Sequence, residues 1–253
     1  MQEFSVSDQQ LILGLIEESP PALERVVVGE NAEAWAWLNR LADGERPPEG
    51  RLLLWGGPAS GKTAALQALS RRMGEQSQDH HLITLAAATQ TLQALTPSQR
   101  EALASADLPL LIDNLEHASQ VLQQALFARL VGAPSAAPLV ASSGQSPQSL
   151  GALGFREDLR TRLAQGLVYP LVPLGESDQL RVLRQKAQAL GWMARPDDTQ
   201  FDGIFLYMLQ RMPRHLGWLC GVLQAVNQAA LQQKRPISVP LLRSVAEGFS
   251  TTP

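Results

Sequence analysis

Residues 56–63 read Gly-Gly-Pro-Ala-Ser-Gly-Lys-Thr and directly follow the apolar run Leu-Leu-Leu-Trp at 52–55. The pattern G-x-x-x-x-G-K-[ST], between a strand-like segment and a helix-forming stretch, is typical of a phosphate-binding loop. Its glycines let successive backbone N–H groups turn toward phosphates, and the following helix directs its positive end to the same place. Lys62 is expected to reach the outer phosphates, and Thr63 to offer its hydroxyl to Mg²⁺. We therefore predict that the chain binds ADP or ATP through Gly57, Pro58, Ala59, Ser60, Gly61, Lys62, Thr63 and Ala64.

The composition limits the class of protein. A chain of 253 residues with 45% hydrophobic content can form one α/β core and a small second unit. A net charge of -3 argues against an extended basic surface for nucleic acid or membrane. The single cysteine, Cys220, excludes an intrachain disulfide and a cysteine metal site. The sequence shows no membrane-spanning run and no secretory signal, so we expect a cytoplasmic protein.

The order of apolar segments predicts the domain organisation. Residues 1–24 are polar, are interrupted by Ser-Pro-Pro at 19–21, and are expected to form a flexible arm. Strand-like segments alternate with helical ones, which favours a parallel five-stranded sheet covered by helices in an α/β domain at 25–174. Helical patterns alone follow, so a small all-helical lid domain is expected at 175–253. The predicted strands are 52–55, 81–86, 108–112, 139–142 and 167–172, and the predicted lid helices are 176–191, 199–211, 214–233 and 239–248.

A second motif, an apolar run flanked by acidic residues, occupies residues 107–114 and reads Asp-Leu-Pro-Leu-Leu-Ile-Asp-Asn. Asp113 follows a buried strand, where proteins with such loops hold Mg²⁺; a helix N-cap is the alternative role. We therefore expect Thr63 and Asp113 to be the magnesium ligands, together with the nucleotide. Active ATPases usually carry a carboxylate at the next position to orient the attacking water, but this chain has Asn114. An amide cannot act as a base, so we expect weak intrinsic hydrolysis unless Glu116 substitutes.

Four boxes, in their order along the chain, resemble the initiator-type AAA+ family, which includes the initiator DnaA and the regulatory inactivators of DnaA. Residues 25–31, Arg-Val-Val-Val-Gly-Glu-Asn, are similar to its adenine-binding entry, and residues 111–114, Leu-Ile-Asp-Asn, to the inactivators' strand. Residues 159–167, Leu-Arg-Thr-Arg-Leu-Ala-Gln-Gly-Leu, resemble the arginine-finger box, and residues 212–216, Met-Pro-Arg-His-Leu, the sensor segment of the lid. The resemblance spans roughly residues 25 to 250 and implies an AAA+ P-loop NTPase fold.

The resemblance makes Arg162 an arginine finger. Such a group projects from one subunit toward the γ-phosphate held by its neighbour and stabilises the charge that develops during phosphoryl transfer. Arg160 is the local competitor for this role. Without the resemblance, an arginine at this position is more often a solvated cation near a helix end.

Other site residues follow from the same resemblance. Arg214 is the expected lid sensor, contacting the phosphates of the nucleotide bound by its own chain. Ser142 and Ser143, at the end of the fourth strand, are the candidates for the other sensor, although Gly144 departs from the Asp or Asn that the family often has nearby. The entry box is expected to contribute nucleotide contacts from Val27, Val28, Gly29 and Asn31.

Residues 10–15 of the arm read Gln-Leu-Ile-Leu-Gly-Leu. They resemble the short peptide with which the inactivators dock on the sliding clamp of the replicative polymerase. An extended segment would present Leu11, Leu13 and Leu15 to an apolar pocket, while Gln10 supplies an oriented hydrogen bond. An edge strand or the start of a helix is the alternative interpretation.

The resemblance as a whole implies a negative regulator of DNA replication initiation. With the DNA-loaded clamp, such a nucleotide-bound protein stimulates hydrolysis of DnaA-bound ATP through an arginine finger in trans. The alternatives are a self-sufficient AAA+ ATPase or helicase loader, and a P-loop adaptor that tethers a replication partner without hydrolysis. We expect no sequence-specific DNA binding, since no helix-turn-helix follows the lid, and no membrane partner. The sequence leaves open whether ADP or ATP is the working ligand and whether a homo-oligomer forms.

Overall fold

The structure, a computed structural model, describes residues 22–23, 26–85, 96–104, 107–132, 137–195, 197–213 and 215–249. These residues fall into two compact units, which divide between Pro173 and Leu174. Nearly all of the arm predicted at 1–24 lies outside the described residues. In the described part of the chain, no helix is both long enough and apolar enough to cross a membrane.

The first unit contains the predicted parallel five-stranded sheet, with the strand order β2-β3-β4-β1-β5. All of its strand pairs are parallel, so the carboxyl ends of the strands lie at one edge and the amino ends at the other. Strand β1 lies between β4 and β5, and β3 lies on the other side of β4. The strands are β1 (Arg51–Trp55), β2 (His81–Thr84), β3 (Leu110–Asp113), β4 (Leu139–Ser143) and β5 (Leu167–Pro170).

Helices cover both faces of this sheet. Successive side chains of β1 point to opposite faces, so Leu53 packs into one core while Leu52 and Leu54 pack into the other. Residues of β3 and β4 are buried throughout, which explains why both strands begin with apolar residues. Their carboxyl ends are buried as well but carry polar side chains, Asp113 on β3 and Ser142 and Ser143 on β4. The helices of this unit are α1 (Ala32–Ala42), α2 (Lys62–Glu75), α3 (Pro97–Ala104), α4 (Gln120–Gly132) and α5 (Glu157–Ala164).

The second unit is helical in its described part, as predicted. Its core surrounds Phe205, which is fully buried, and includes Cys220. The predicted starts of two helices are a few residues too early: Phe201 is the N-cap of α7, and His215 is the N-cap of α8, where its ring accepts the Trp218 N–H at 3.2 Å. The helices are α6 (Glu176–Ala189), α7 (Asp202–Arg211), α8 (Leu216–Gln233) and α9 (Val239–Phe249).

Candidate functional site

The predicted phosphate-binding loop joins β1 to α2 at the carboxyl edge of the sheet. Ala59 and Gly61 have positive φ angles of 60° and 89°, so the chain reverses sharply before the helix begins. A Cβ at Gly56 would lie 2.4 Å from the Leu171 carbonyl oxygen, so a larger residue would push the loop away from the end of β5. The first N–H groups of α2 have no acceptor within the helix. Together with the helix dipole, they favour an anion at this point.

Lys62, the first residue of α2, is held over this loop. Its ammonium donates to the carbonyl oxygens of Gly56 at 2.7 Å and Gly57 at 2.9 Å. Burial lowers the pKa of Lys62, whereas the carboxylates of Glu116 and Asp113 act in the opposite direction. A phosphate in the loop would offer this ammonium charged acceptors in place of neutral carbonyls, and hydrogen bonds between charged groups are stronger.

Asp113 lies at the carboxyl end of β3 and is 1% exposed. The Ser142 hydroxyl donates to Oδ1 of Asp113 and accepts the Asn114 N–H at 3.1 Å. Oδ2 of Asp113 is buried and has no hydrogen-bond partner among the described residues. A buried carboxylate oxygen without a donor is costly. The oxygen therefore fits a role in holding Mg²⁺, directly or through a water, as the sequence predicts.

Asn114 has a left-handed backbone conformation, with φ 60° and ψ 49°. Its side-chain amide donates to the Leu85 carbonyl oxygen at 3.2 Å and so ties the end of β3 to the residue after β2. The Asn114 side chain therefore has a structural role at the carboxyl edge of the sheet. The chain then forms a short 3-10 turn, Leu115–His117, in which Leu115 is buried and Glu116 is partly buried.

The hydroxyls of the two predicted sensor serines both form hydrogen bonds. Ser142 and Ser143 are fully buried, and the Ser143 hydroxyl accepts the Gln145 N–H at 3.0 Å. Ser142 bridges Asp113 and the backbone after it. What the structure adds is a positioning role for Ser142, while a sensor role for either serine stays a prediction.

The predicted entry box also lies at the carboxyl edge of the sheet. Asn31 donates through Nδ2 to the Val172 carbonyl oxygen at 2.9 Å, and its Oδ1 accepts the Val172 N–H at 2.8 Å. Val27 is buried, Val28 is half-buried and Gly29 has φ 55°. Asn31 thus holds the entry box against the segment that follows β5. Strand β5 pairs with β1, which leads into the phosphate-binding loop.

Arg162 lies at the opposite edge of the sheet, near the end of α5. Its backbone carbonyl accepts a hydrogen bond at 2.7 Å from Nη1 of Arg51, the first residue of β1. The Arg162 side chain is half-buried and lines a cavity of about 750 Å³, whose wall also includes Arg46, Arg51 and Arg129. Within the described residues, the Arg162 guanidinium makes no hydrogen bond or ion pair. Its five donors are therefore available to an anionic partner.

Arg160 has a different environment, although it precedes Arg162 by only two positions. Its Nη1 donates to the Gln148 carbonyl oxygen at 3.3 Å. The guanidinium packs against Gly151, where a Cβ would lie 2.9 Å from Nη1. The Arg160 side chain therefore contacts the short helical segment Ser149–Leu153 and its N-cap. The Arg162 side chain instead lines the cavity.

Arg51 is a residue whose role the sequence analysis did not identify. It is 6% exposed and also donates to Oε1 of Gln165 at 3.3 Å and to the Leu130 carbonyl oxygen at 3.4 Å. Burial lowers the pKa of Arg51, and the positive charge of Arg162 acts in the same direction. A Cβ at Gly166 would lie 2.6 Å from that of Arg51, which explains the glycine of the arginine-finger box. The sequence did contain a sign of this role, because Arg51 is a charged residue at the start of an otherwise apolar strand.

Several predicted site residues lie outside the described residues. They are the lid sensor Arg214 and the clamp-binding residues Gln10, Leu11, Leu13 and Leu15. Their roles stay predictions.

Comparisons with known proteins bear on the fold of both units. Residues 176–246 match the family of the Hda lid domain. In sequence, the chain is 25% identical over 194 residues to an uncharacterized protein of Haemophilus influenzae, a match that covers 76% of this chain and 79% of that protein. In structure, it is similar to domain III of the Thermotoga maritima replication initiation protein DnaA, with a TM-score of 0.69, 20% identity, and 91% of this chain and 97% of that chain covered.

A second structural neighbour is the AMPPCP-bound DnaA from Aquifex aeolicus, with a TM-score of 0.57 and 17% identity. The match covers 85% of this chain and 66% of that one. The predicted fold class is confirmed: the chain has the DnaA-like AAA+ fold, and residues 176–246 of its C-terminal helical unit match the Hda lid domain.

Proposed function

We propose that this chain is a nucleotide-binding regulator of replication initiation that promotes hydrolysis of the ATP held by DnaA. In this proposal the chain acts from the DNA-loaded sliding clamp and supplies Arg162 to the active site of DnaA. The DnaA-like fold and the Hda lid domain support a role related to DnaA. Such a fold allows action on the chain's own nucleotide or on that of a partner, and the position of Arg162 favours the second.

The observation that carries the proposal is the separation of Arg162 from the phosphate-binding loop of its own chain. The loop follows the carboxyl end of β1, whereas the Arg162 backbone contacts the residue at which β1 begins. A strand of five residues spans about 17 Å, and this distance from the chain's own loop supports the proposal that Arg162 acts on a nucleotide bound elsewhere. A guanidinium aimed at a phosphoryl group in transfer stabilises the charge that develops there.

The chain's own loop is proposed to bind ADP or ATP. The left-handed turn before α2, the free N–H groups of its first turn and the Lys62 ammonium together form a site for phosphate groups. Thr63 is exposed at the start of α2, and Oδ2 of Asp113 is buried without a hydrogen-bond partner in the described part of the chain, so these residues fit a Mg²⁺ ion bound with the nucleotide. Such an ion neutralises phosphate charge. The Aquifex DnaA in the comparison contains the ATP analogue AMPPCP, which supports the same ligand class here.

The partner that brings the chain to DNA is proposed to be the sliding clamp. Gln10, Leu11, Leu13 and Leu15 would bind an apolar pocket of the clamp as an extended peptide. A clamp that encircles DNA would raise the local concentration of the chain beside DNA-bound DnaA. With such a tether, even a low-affinity contact with DnaA would suffice.

The proposal is tested by reconstitution. DnaA loaded with labelled ATP is mixed with the purified chain, ADP or ATP, and clamp loaded on DNA, and the conversion of the label to ADP is followed. We expect acceleration only when the chain and the DNA-loaded clamp are both present. An unchanged rate of conversion in the complete mixture would refute the proposed function.

A further inference from the structure

We infer that Glu116 is the catalytic carboxylate of this chain's own nucleotide site, taking the place of the carboxylate that is missing at position 114. This inference rests on the nucleotide binding that we propose above, and it adds a second activity: slow hydrolysis of ATP by the chain itself. It concerns the phosphate-binding loop and not the Arg162 cavity at the other edge of the sheet.

The first argument is the side chain at position 114. The Asn114 amide donates to the Leu85 carbonyl oxygen at 3.2 Å, so this side chain is committed to the end of β2. Its left-handed backbone turns the chain into the 3-10 segment that carries Glu116. Position 114 therefore offers no carboxylate, and the next acidic side chain along this segment is that of Glu116.

The second argument is the environment of the Glu116 carboxylate. Its Oε2 is buried and has no hydrogen-bond partner among the described residues. Its Oε1 lies 2.9 Å from the point where Gly144 would carry a Cβ, so the absence of a side chain after β4 makes room for it. A buried acceptor without a donor is rarely left so in a native protein, and a water in the nucleotide site would supply the donor.

The third argument is the position of Glu116 relative to the phosphate-binding loop. The loop is joined to the end of β4, because the Gly56 N–H donates to the Ser143 carbonyl oxygen at 3.1 Å. The Glu116 carboxylate packs against Gly144, the next residue, and so lies beside the first residue of the phosphate-binding loop. A carboxylate in that position is suited to a water that attacks the terminal phosphate.

The reaction balances with ATP and water alone. The water oxygen bonds to the γ-phosphorus, the bond between that phosphorus and the β,γ-bridging oxygen breaks, and Glu116 takes the proton of the water. The products are ADP and inorganic phosphate, and the proton then leaves Glu116 for solvent. No redox partner is required.

The test uses the full chain, with the variants Glu116→Gln and Gly144→Ala. Affinity for AMPPCP is measured by calorimetry, and ADP formation is measured in single-turnover mixtures with protein in excess over ATP. Glu116→Gln should keep the wild-type affinity within about threefold and lose about 10²- to 10⁴-fold in rate, the usual contribution of a general base. Gly144→Ala keeps the carboxylate but displaces it, and should lose roughly tenfold or more in rate.

Gly144 does not have a positive φ, and the atom that its new Cβ would meet is the end of a flexible side chain, so Gly144→Ala should fold normally. Glu101→Gln removes the same charge from an exposed position on α3 and should change neither quantity. A wild-type chain that binds AMPPCP but forms no ADP, or variants that keep the wild-type rate, would overturn this inference alone. A wild-type chain that binds no nucleotide would overturn the proposed nucleotide site as well.

Discussion

Replacing Ser142 by alanine should destabilise the first unit by about 3 kcal/mol. The Ser142 hydroxyl is fully buried and has two partners, the Asp113 carboxylate and the Asn114 N–H. A bond to a charged group contributes about 1.5–3 kcal/mol, and a bond to a backbone N–H contributes about 1 kcal/mol. Asp113 would then lack a donor at both oxygens, since Oδ2 has no partner among the described residues.

Ser143→Ala is the matched control for this prediction. Ser143 is equally buried, follows Ser142 in the same strand and accepts one hydrogen bond, from the Gln145 N–H at 3.0 Å. Its removal should cost about 1 kcal/mol, which leaves a difference of about 2 kcal/mol between the variants. Urea unfolding with an unchanged dependence on denaturant measures this difference. If Ser142→Ala is no less stable than Ser143→Ala, the bridge between β3 and β4 does not hold Asp113 as described.

Three further changes test other parts of the account. Lys62→Ala should leave the fold intact and abolish nucleotide binding in calorimetric titration, whereas nucleotide at a hundredfold excess over its Kd should stabilise the wild-type chain by about 2.7 kcal/mol. Asn114→Asp should lower stability by about 1–3 kcal/mol, because a carboxylate cannot donate to the Leu85 carbonyl, and should not raise the rate of phosphate release. Gln10→Ala combined with Leu13→Ala should remove binding to immobilised clamp without changing nucleotide affinity, since a flexible tether is energetically separate from the folded domain; clamp binding retained by the double variant would place the docking site elsewhere.

The sequence was sufficient for the main features of the fold. Continuous apolar runs predicted buried parallel strands, and the change to purely helical patterns predicted the second unit. Helix starts were less exact, because capping depends on local contacts: the Asp-Asp-Thr cluster at 197–199 looks like a cap, but α7 begins after Phe201. Likewise, α8 begins after His215, whose ring accepts a backbone N–H that the sequence pattern does not identify.

At the candidate site, the sequence predicted the positions of the site residues well. It predicted the contacts of their side chains less well. The loop glycines follow from local backbone geometry, so a motif reveals them. The hydroxyl of Ser142 and the amide of Asn114 have partners on neighbouring strands, and those partners are known only from the strand order and register. The same is true of Arg51, which contacts residues far away in sequence, and of the contrast between Arg160 and Arg162.

The most direct measurement is the conversion of DnaA-bound ATP to ADP on clamp-loaded DNA, with wild-type chain, Arg162→Ala and Arg160→Ala. Arg162→Ala should fold normally, bind nucleotide and clamp as the wild type does, and lose about 10³- to 10⁵-fold in stimulation, as fingers in trans do in phosphoryl transfer. Arg160→Ala loses a hydrogen bond to the Gln148 carbonyl and packing against Gly151, both within its own chain, and should retain most of its stimulation. If Arg162→Ala stimulates like the wild type, the central claim that this arginine acts on the nucleotide of DnaA is wrong.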